Sequence, residues 1–241
     1  MPILNKDMQV CISLAARPSN IGTRFHNYLY DELGLNFLYK AFTTSDLEGA
    51  VRGIRALGFR GCSVSMPFKD AIIPLVDHLE PSAVAIESVN TVVNEDGLLT
   101  ASNTDYEAVA QLLAEHAVDP AQRVLLRGSG GMAKAVVAAF RGAGFDELTV
   151  LARNEEAGRA LAERYDYTWT ADEPRADYDV IVNVTPLGMR GEHESALAFA
   201  EEHIEHATTV FDVVAFPSET PLVQAGRAAG KTLITGAEVI A

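Results

Sequence analysis

Lys69 closes the segment Gly61-Cys62-Ser63-Val64-Ser65-Met66-Pro67-Phe68-Lys69, an apolar β-like run followed by a proline suited to the first position of a helix. A second polar cluster, Asn103-Thr104-Asp105, ends another hydrophobic stretch, and Asp105 falls 36 positions after Lys69. The turn Gly128-Ser129-Gly130-Gly131 then follows the apolar Val124-Leu125-Leu126 and opens an Ala/Val-rich helix, with Ala133 at the third small position. A glycine turn between strand and helix lets main-chain N–H groups close on a pyrophosphate, and the helix N-terminus adds partial positive charge. A proton-donating ammonium and a carboxylate ahead of a dinucleotide turn fit chemistry in which a hydride and a proton move together, as in carbonyl reduction. Taken singly, each feature has a plainer use. A first-turn lysine is commonly a solvated charge, Asn-Thr-Asp is often a helix cap, and a glycine turn can exist without a ligand.

Cofactor choice is written some 20 residues beyond the turn, where an NAD enzyme usually places Asp or Glu on the ribose 2′-hydroxyl. This chain carries Ala152-Arg153-Asn154 there. An arginine without an acid favours the 2′-phosphate of NADP. Glu155 and Glu156, which follow, suit the first turn of a helix.

The elements that must position these groups alternate in strand-like and helix-like runs, which predicts βαβ units and mostly parallel sheets covered by helices. Gln9 to Ala15, Asn36 to Phe42 and Gly61 to Met66 read as strands, with helices over 23–33 and from a Thr44-Ser45-Asp46 cap to Leu57. Glu48 is placed for a capping box there. Residues 89–100 read as a hairpin turning at Asn94-Glu95-Asp96-Gly97. From Arg123 the pattern restarts, with a helix over 132–141, strands at 148–151, 180–182 and 210–214, and a polar separator over 166–179. Two α/β domains are expected: a substrate-binding, catalytic domain over 1–103 and a cofactor domain over 104–241, joined by a helix over 104–119.

At 241 residues the chain is 48 % hydrophobic and 22 % charged, ordinary for a globular protein. Its formal net charge of -14 argues against nucleic acid or an anionic membrane as a partner. Cys11 and Cys62 lie in apolar runs without metal-binding spacing and read as buried thiols. No metal site is expected. The start Met1-Pro2-Ile3-Leu4 lacks the apolar core of a signal peptide, so a cytoplasmic protein, monomer or homodimer, is expected.

The ordered motifs Ser63 to Lys69, Ser88-Val89-Asn90-Thr91, Asn103-Thr104-Asp105, Gly128 to Gly131, Asn183-Val184-Thr185-Pro186-Leu187-Gly188-Met189, and Asp212 through Thr220-Pro221-Leu222 resemble those of shikimate dehydrogenases. The resemblance implies an N-terminal α/β substrate domain followed by a Rossmann-type doubly wound parallel sheet. It also implies reversible, NADP-dependent reduction of 3-dehydroshikimate to shikimate, on the route to chorismate and the aromatic amino acids. By the same resemblance Lys69 and Asp105 are the catalytic pair, and Asn90 and Ser65 bind the substrate. Gly128, Ser129, Gly130, Gly131, Met132, Ala133, Arg153, Thr185, Met189, Val213 and Gly236 meet the cofactor. Departures accompany it. Where the family carries a serine pair for the substrate carboxylate, this chain aligns Asn20 and Gly22. The tyrosine often found after the Asp212 strand is Ala215, and the helix that returns to the substrate site past Gly236 is expected to be absent. The pattern therefore resembles a divergent, shikimate dehydrogenase-like branch, with quinate, an aminoshikimate or another cyclic hydroxy acid as alternative substrates. A ligand sensor on the same scaffold is the non-catalytic alternative.

Overall fold

The computed structural model describes residues 4–18, 20–175 and 177–240, so Ser19 lies outside the described residues. The chain forms two compact units, the first ending at Thr104 and the second beginning at Asp105.

The first unit runs β1 (Gln9–Leu14), α1 (Asn20–Glu32), β2 (Phe37–Phe42), α2 (Leu47–Ala56), β3 (Gly61–Val64), α3 (Phe68–Ala71), β4 (His78–Leu79), α4 (Pro81–Ile86), β5 (Thr91–Glu95) and β6 (Leu98–Ser102). Its six strands are ordered β2-β1-β3-β5-β6-β4. β1 is parallel to β2 and β3, whereas β5 is antiparallel to β3 and β6. Ile12, Leu14, Ile54, Val64, Val92 and Leu99 form the core of this unit. The β5–β6 hairpin turns through Asp96 and Gly97, both at positive φ, which matches the right-handed twist of its strands.

Three local expectations change. Helix α1 starts at Asn20, three residues earlier than the apolar pattern indicates. Asp46, not Thr44 or Ser45, caps α2 by accepting from Gly49 N (2.7 Å). Glu48 is then one residue short of the reciprocal capping position, so the box does not form, and it faces Arg52 instead (3.7 Å). Pro67 follows a cis peptide and stands at the N-cap of a one-turn helix, not inside it.

The second unit takes α5 (Thr104–Glu115) from its second residue, then β7 (Val124–Arg127), α6 (Gly131–Gly142), β8 (Leu148–Leu151), α7 (Glu155–Arg164), β9 (Thr168–Thr170), β10 (Val180–Asn183), α8 (Glu201–His206), β11 (Thr209–Asp212), α9 (Pro221–Ala228), β12 (Thr232–Thr235) and α10 (Gly236–Val239). All its strand pairs are parallel, in the order β12-β11-β10-β7-β8-β9. This is the doubly wound arrangement, with the order reversing between β7 and β10. Both faces are covered, so β7 and β10 read as continuous apolar runs. The segment 166–179, expected to be a polar separator, contains β9. Only three residues pair there, and alternating Thr168-Trp169-Thr170 leaves too little apolar length to announce a strand. Among the described residues no helix is long and apolar enough to cross a membrane.

Candidate functional site

A cleft of about 940 Å³ in the second unit lies at the carboxyl ends of its strands beside the switch point. It is lined by residues 127–130 after β7, 151–154 after β8, Ala171 after β9, and residues 184–187 and His193 after β10. Gly128 has φ +124, and a Cβ there would come within 2.9 Å of Val184 Cγ2 and 3.0 Å of Thr185 Cγ2. Only glycine fits. A Cβ on Gly130 or Gly131 would meet open space, so those two positions keep the approach to the main chain clear. Gly130 is the N-cap of α6 and provides no side chain for the first-turn N–H groups.

The electrostatics of this cleft oppose those of the whole chain. Arg127 and Arg153 line it and none of its lining residues is a carboxylate, with Glu173 reaching Arg127 from beside it (2.7 Å), although the chain carries a net -14. A helix start without a side-chain cap, glycine access and two arginines in the lining together fit a phosphorylated dinucleotide.

A buried network fixes the far wall. Asn183, at the end of β10, donates through Nδ2 to Leu187 O (3.1 Å) and to Asp212 Oδ1 (3.0 Å). Its Oδ1 accepts from Thr185 N (3.1 Å) and Thr185 Oγ1 (2.6 Å). Asp212 also accepts from Val214 N (3.0 Å) and Thr220 Oγ1 (2.7 Å). Burial pushes the Asp212 carboxyl above its ordinary value, against the opposing pull of these three donors. Thr220 in turn caps α9 by accepting from Val223 N (3.1 Å).

The other cofactor-side residues named from the sequence occupy different surroundings. Ala133 is fully buried in α6, and Met132 packs against the same core. Met189 is exposed in the turn after β10, its N–H donating to Pro186 O (3.0 Å). Val213 donates to Asn183 O (3.0 Å), and Gly236 packs so closely on the Val213–Val214 backbone that a side chain has no room. Sequence reasoning did not single out Arg127, Asn154 or His193 as cleft residues. An arginine ending an otherwise apolar strand immediately before the glycine turn was the available signal for Arg127. Nothing local distinguishes His193.

In the first unit Ser65, Lys69 and Asn90, named from the sequence, are tied in by backbone hydrogen bonds near the ends of β1 and β3. Ser65 N donates to Leu14 O (2.9 Å), and Ala16 N donates to Met66 O (3.0 Å). Val64 N donates to Asn90 O (2.7 Å), and Val89 N to Lys69 O (3.0 Å), which ties the Lys69 loop to the start of β5. The Asn90 side chain bridges to Thr104: Nδ2 donates to Thr104 Oγ1 (3.0 Å), and Oδ1 accepts from Thr104 N (3.0 Å). Asp105 is the next residue of the chain, in the first turn of α5. Asn103 is buried and structural, donating to Ser82 Oγ (3.1 Å) and Ser88 O (3.1 Å).

Asn20 begins α1, and Gly22 lies one step on. A Cβ on Gly22 would sit 3.8 Å from the Tyr39 hydroxyl. His26 stacks on Tyr39 (4.2 Å between centroids) and meets Gly22 O through Nδ1 (2.8 Å). Asn27 exchanges two hydrogen bonds with the Tyr39 backbone (2.8 and 3.0 Å), pinning α1 to β2.

Comparison with known proteins bears on both units. Residues 20–92 match the family model described as the shikimate dehydrogenase substrate binding domain. A shikimate dehydrogenase-like protein of Haemophilus influenzae is 53% identical over 239 residues, 99% of this chain and 88% of that protein. The shikimate dehydrogenase (NADP(+)) of Pelodictyon phaeoclathratiforme is 35% identical over 229 residues, 89% of this chain and 81% of that one. A solved shikimate 5-dehydrogenase-like structure, 53% identical, superposes with a TM-score of 0.95 over 99% of this chain and 89% of that chain. With this coverage across both units, the chain belongs to the shikimate dehydrogenase family.

Proposed function

We propose that this protein is an NADP-dependent oxidoreductase that reversibly reduces 3-dehydroshikimate to shikimate, with Lys69 and Asp105 as its acid–base pair. The observation that carries the reading is the arginine-lined cleft, with no carboxylate among its lining residues, at the switch point of a strongly acidic chain. The family's NADP-dependent members support the same choice of cofactor. Gly128, Ser129 and Gly130 hold the pyrophosphate against the first turn of α6, and Arg153 meets the 2′-phosphate. Thr185, Met189, Val213 and Gly236 serve the nicotinamide end. The chemistry the dinucleotide supplies when bound is delivery of a hydride to the ring carbon, or its removal.

The remaining work belongs to the chain's own residues. Lys69 Nζ donates a proton to the carbonyl oxygen in reduction and takes it back in oxidation, stabilising the charge that develops on that oxygen. Asp105 orients the ammonium and a substrate hydroxyl. Asn90, already held by Thr104, and Ser65 bind the ring, with Asn20 and Gly22 bordering its carboxylate.

One observation favours a second reading with the same chemistry on quinate, an aminoshikimate or a related cyclic hydroxy acid. Gly22 brings no hydroxyl to the carboxylate end and leaves the Tyr39 ring beside that space. A panel of shikimate, quinate and aminoshikimate with NADP+ and NAD+, followed by reduced-nicotinamide absorbance, decides between them. Turnover of shikimate with NADP+ above the others is expected. Binding without turnover of all three identifies a ligand sensor. Arg153→Ala is expected to weaken NADP+ about tenfold while leaving NAD+ nearly unchanged; equal losses overturn the cofactor assignment.

A further inference from the structure

Arg127 is the one charged residue of β7, after Val124, Leu125 and Leu126, all of them fully buried. Alternation places it on the Leu125 face, where Leu151, Ile181, Phe199 and Ile204 form a separate apolar cluster. Its guanidinium lies 5.1 Å from the Phe199 ring centroid and pairs with Glu173 (Nη2 to Oε1 2.7 Å) on the loop after β9. The side chain keeps 22% of its exposure and lines the same cleft as Arg153 and His193. Nε is buried and finds no acceptor among the described residues. An arginine offers five N–H donors in a fixed fork, and a single carboxylate oxygen leaves that fork largely unused.

Position, shortage of acceptors and the company of Arg153 point the same way. We infer that Arg127 is a second cation of the adenosine-phosphate subsite, binding the 2′-phosphate of NADP together with Arg153. Glu173 is the competing anion that holds Arg127 until that phosphate arrives. The inference rests on the reading of the cleft as an NADP site and adds to it a residue and a counter-ion. A phosphate monoester presents three oxygens and up to two charges, so it outcompetes one half-exposed carboxylate for a planar fork. The plainer role for the pair is to tack the loop after β9 onto β7, and the two roles differ in what Glu173 does to affinity. A tack loses affinity when Glu173 is neutralised; a competitor gains it.

The test is calorimetric titration of the full chain with NADP+ and with NAD+, at two salt concentrations, for wild type, Arg127→Met, Arg127→Lys and Glu173→Gln. Arg127→Met is expected to weaken NADP+ about tenfold and NAD+ by less than about twofold, and to flatten the salt dependence of NADP+ binding. Arg127→Lys recovers part of the loss. Glu173→Gln is expected to tighten NADP+ by about threefold with NAD+ unchanged. Equal weakening of both dinucleotides by Arg127→Met, or weaker NADP+ binding in Glu173→Gln, overturns the inference and assigns the pair a structural role. If Arg127→Met does not fold, the Arg127→Lys and Glu173→Gln titrations decide by the same signs. A wild type that binds neither dinucleotide overturns the cofactor reading itself; NADP+ binding indifferent to these substitutions overturns only the role of Arg127.

Discussion

The two candidate sites are built on different physical terms. In the second unit, the cleft wall is held by buried groups: Asn183, Asp212 and Thr220 are all fully buried and hydrogen-bonded to one another or to backbone. In the first unit, α1 runs for 13 residues without one buried side chain, and Asn27, the His26–Tyr39 stack and the Tyr30–Phe37 ring contact hold it to β2. Buried groups hydrogen-bonded to one another tolerate little change, whereas a helix with no buried side chain can change its exposed residues freely. The difference teaches that one chain can hold one candidate site with buried polar groups and leave the helix beside the other largely on the surface. Asn20 and Gly22 both lie on that helix.

Substitutions can break or sharpen that contrast. The largest effect is expected at Lys69: on the proposed acid–base role, Lys69→Ala lowers kcat about 100-fold or more with KM nearly unchanged. Steady-state kinetics checks this, and an unaltered kcat removes Lys69 from the chemistry. Next comes the rigid wall. Asp212→Ala leaves Asn183 Nδ2, Val214 N and Thr220 Oγ1 without their acceptor. It is expected to cost on the order of 3 kcal/mol in urea unfolding, with Asp212→Asn costing clearly less.

A smaller effect concerns pH within the same unit. For Glu238, burial acts to raise its value, but the Thr235 hydroxyl and amide and His116 outweigh it and hold the carboxyl below the ordinary 4.5. Its contribution is therefore present above that value and lost as pH falls through the lower folded one. Asp212, raised in the fold, contributes with the opposite sign: its share is present in acid and lost as pH climbs through its raised value. Glu238→Gln is expected to flatten the acid limb of a stability–pH profile below 4.5, and an unchanged limb contradicts the assignment. The smallest effect belongs to α1. Tyr28 is 61% exposed, and Tyr28→Ser is expected to move the unfolding free energy by no more than about 0.5 kcal/mol. A large loss there would show α1 to be better anchored than its exposure indicates.

Much of this was legible beforehand, for reasons that differ by region. Strands β7 and β10 announce themselves because burial on both faces demands unbroken apolar runs, and the glycine turn because only glycine fits beside Val184 and Thr185. Strand β9 was hidden because three residues with alternating threonines carry no such signature. The start of α1 was missed for a related reason: with nothing buried on it, its periodicity weakens toward Asn20. The roles of Asn90 and Asn103 needed coordinates, since their partners Thr104, Ser82 and Ser88 are 14, 21 and 15 residues away. No local pattern records such pairings.

The strand order of the second unit has a bearing on synthesis. β7 emerges first yet ends in the middle of the sheet, with β8 on one side and β10, more than fifty residues later in the chain, on the other. A nascent chain that has reached only β9 owns the glycine turn but not the wall of Val184 and Thr185 that opposes it. Residues 184–187 must therefore be made before the cleft beside the glycine turn has both of its walls.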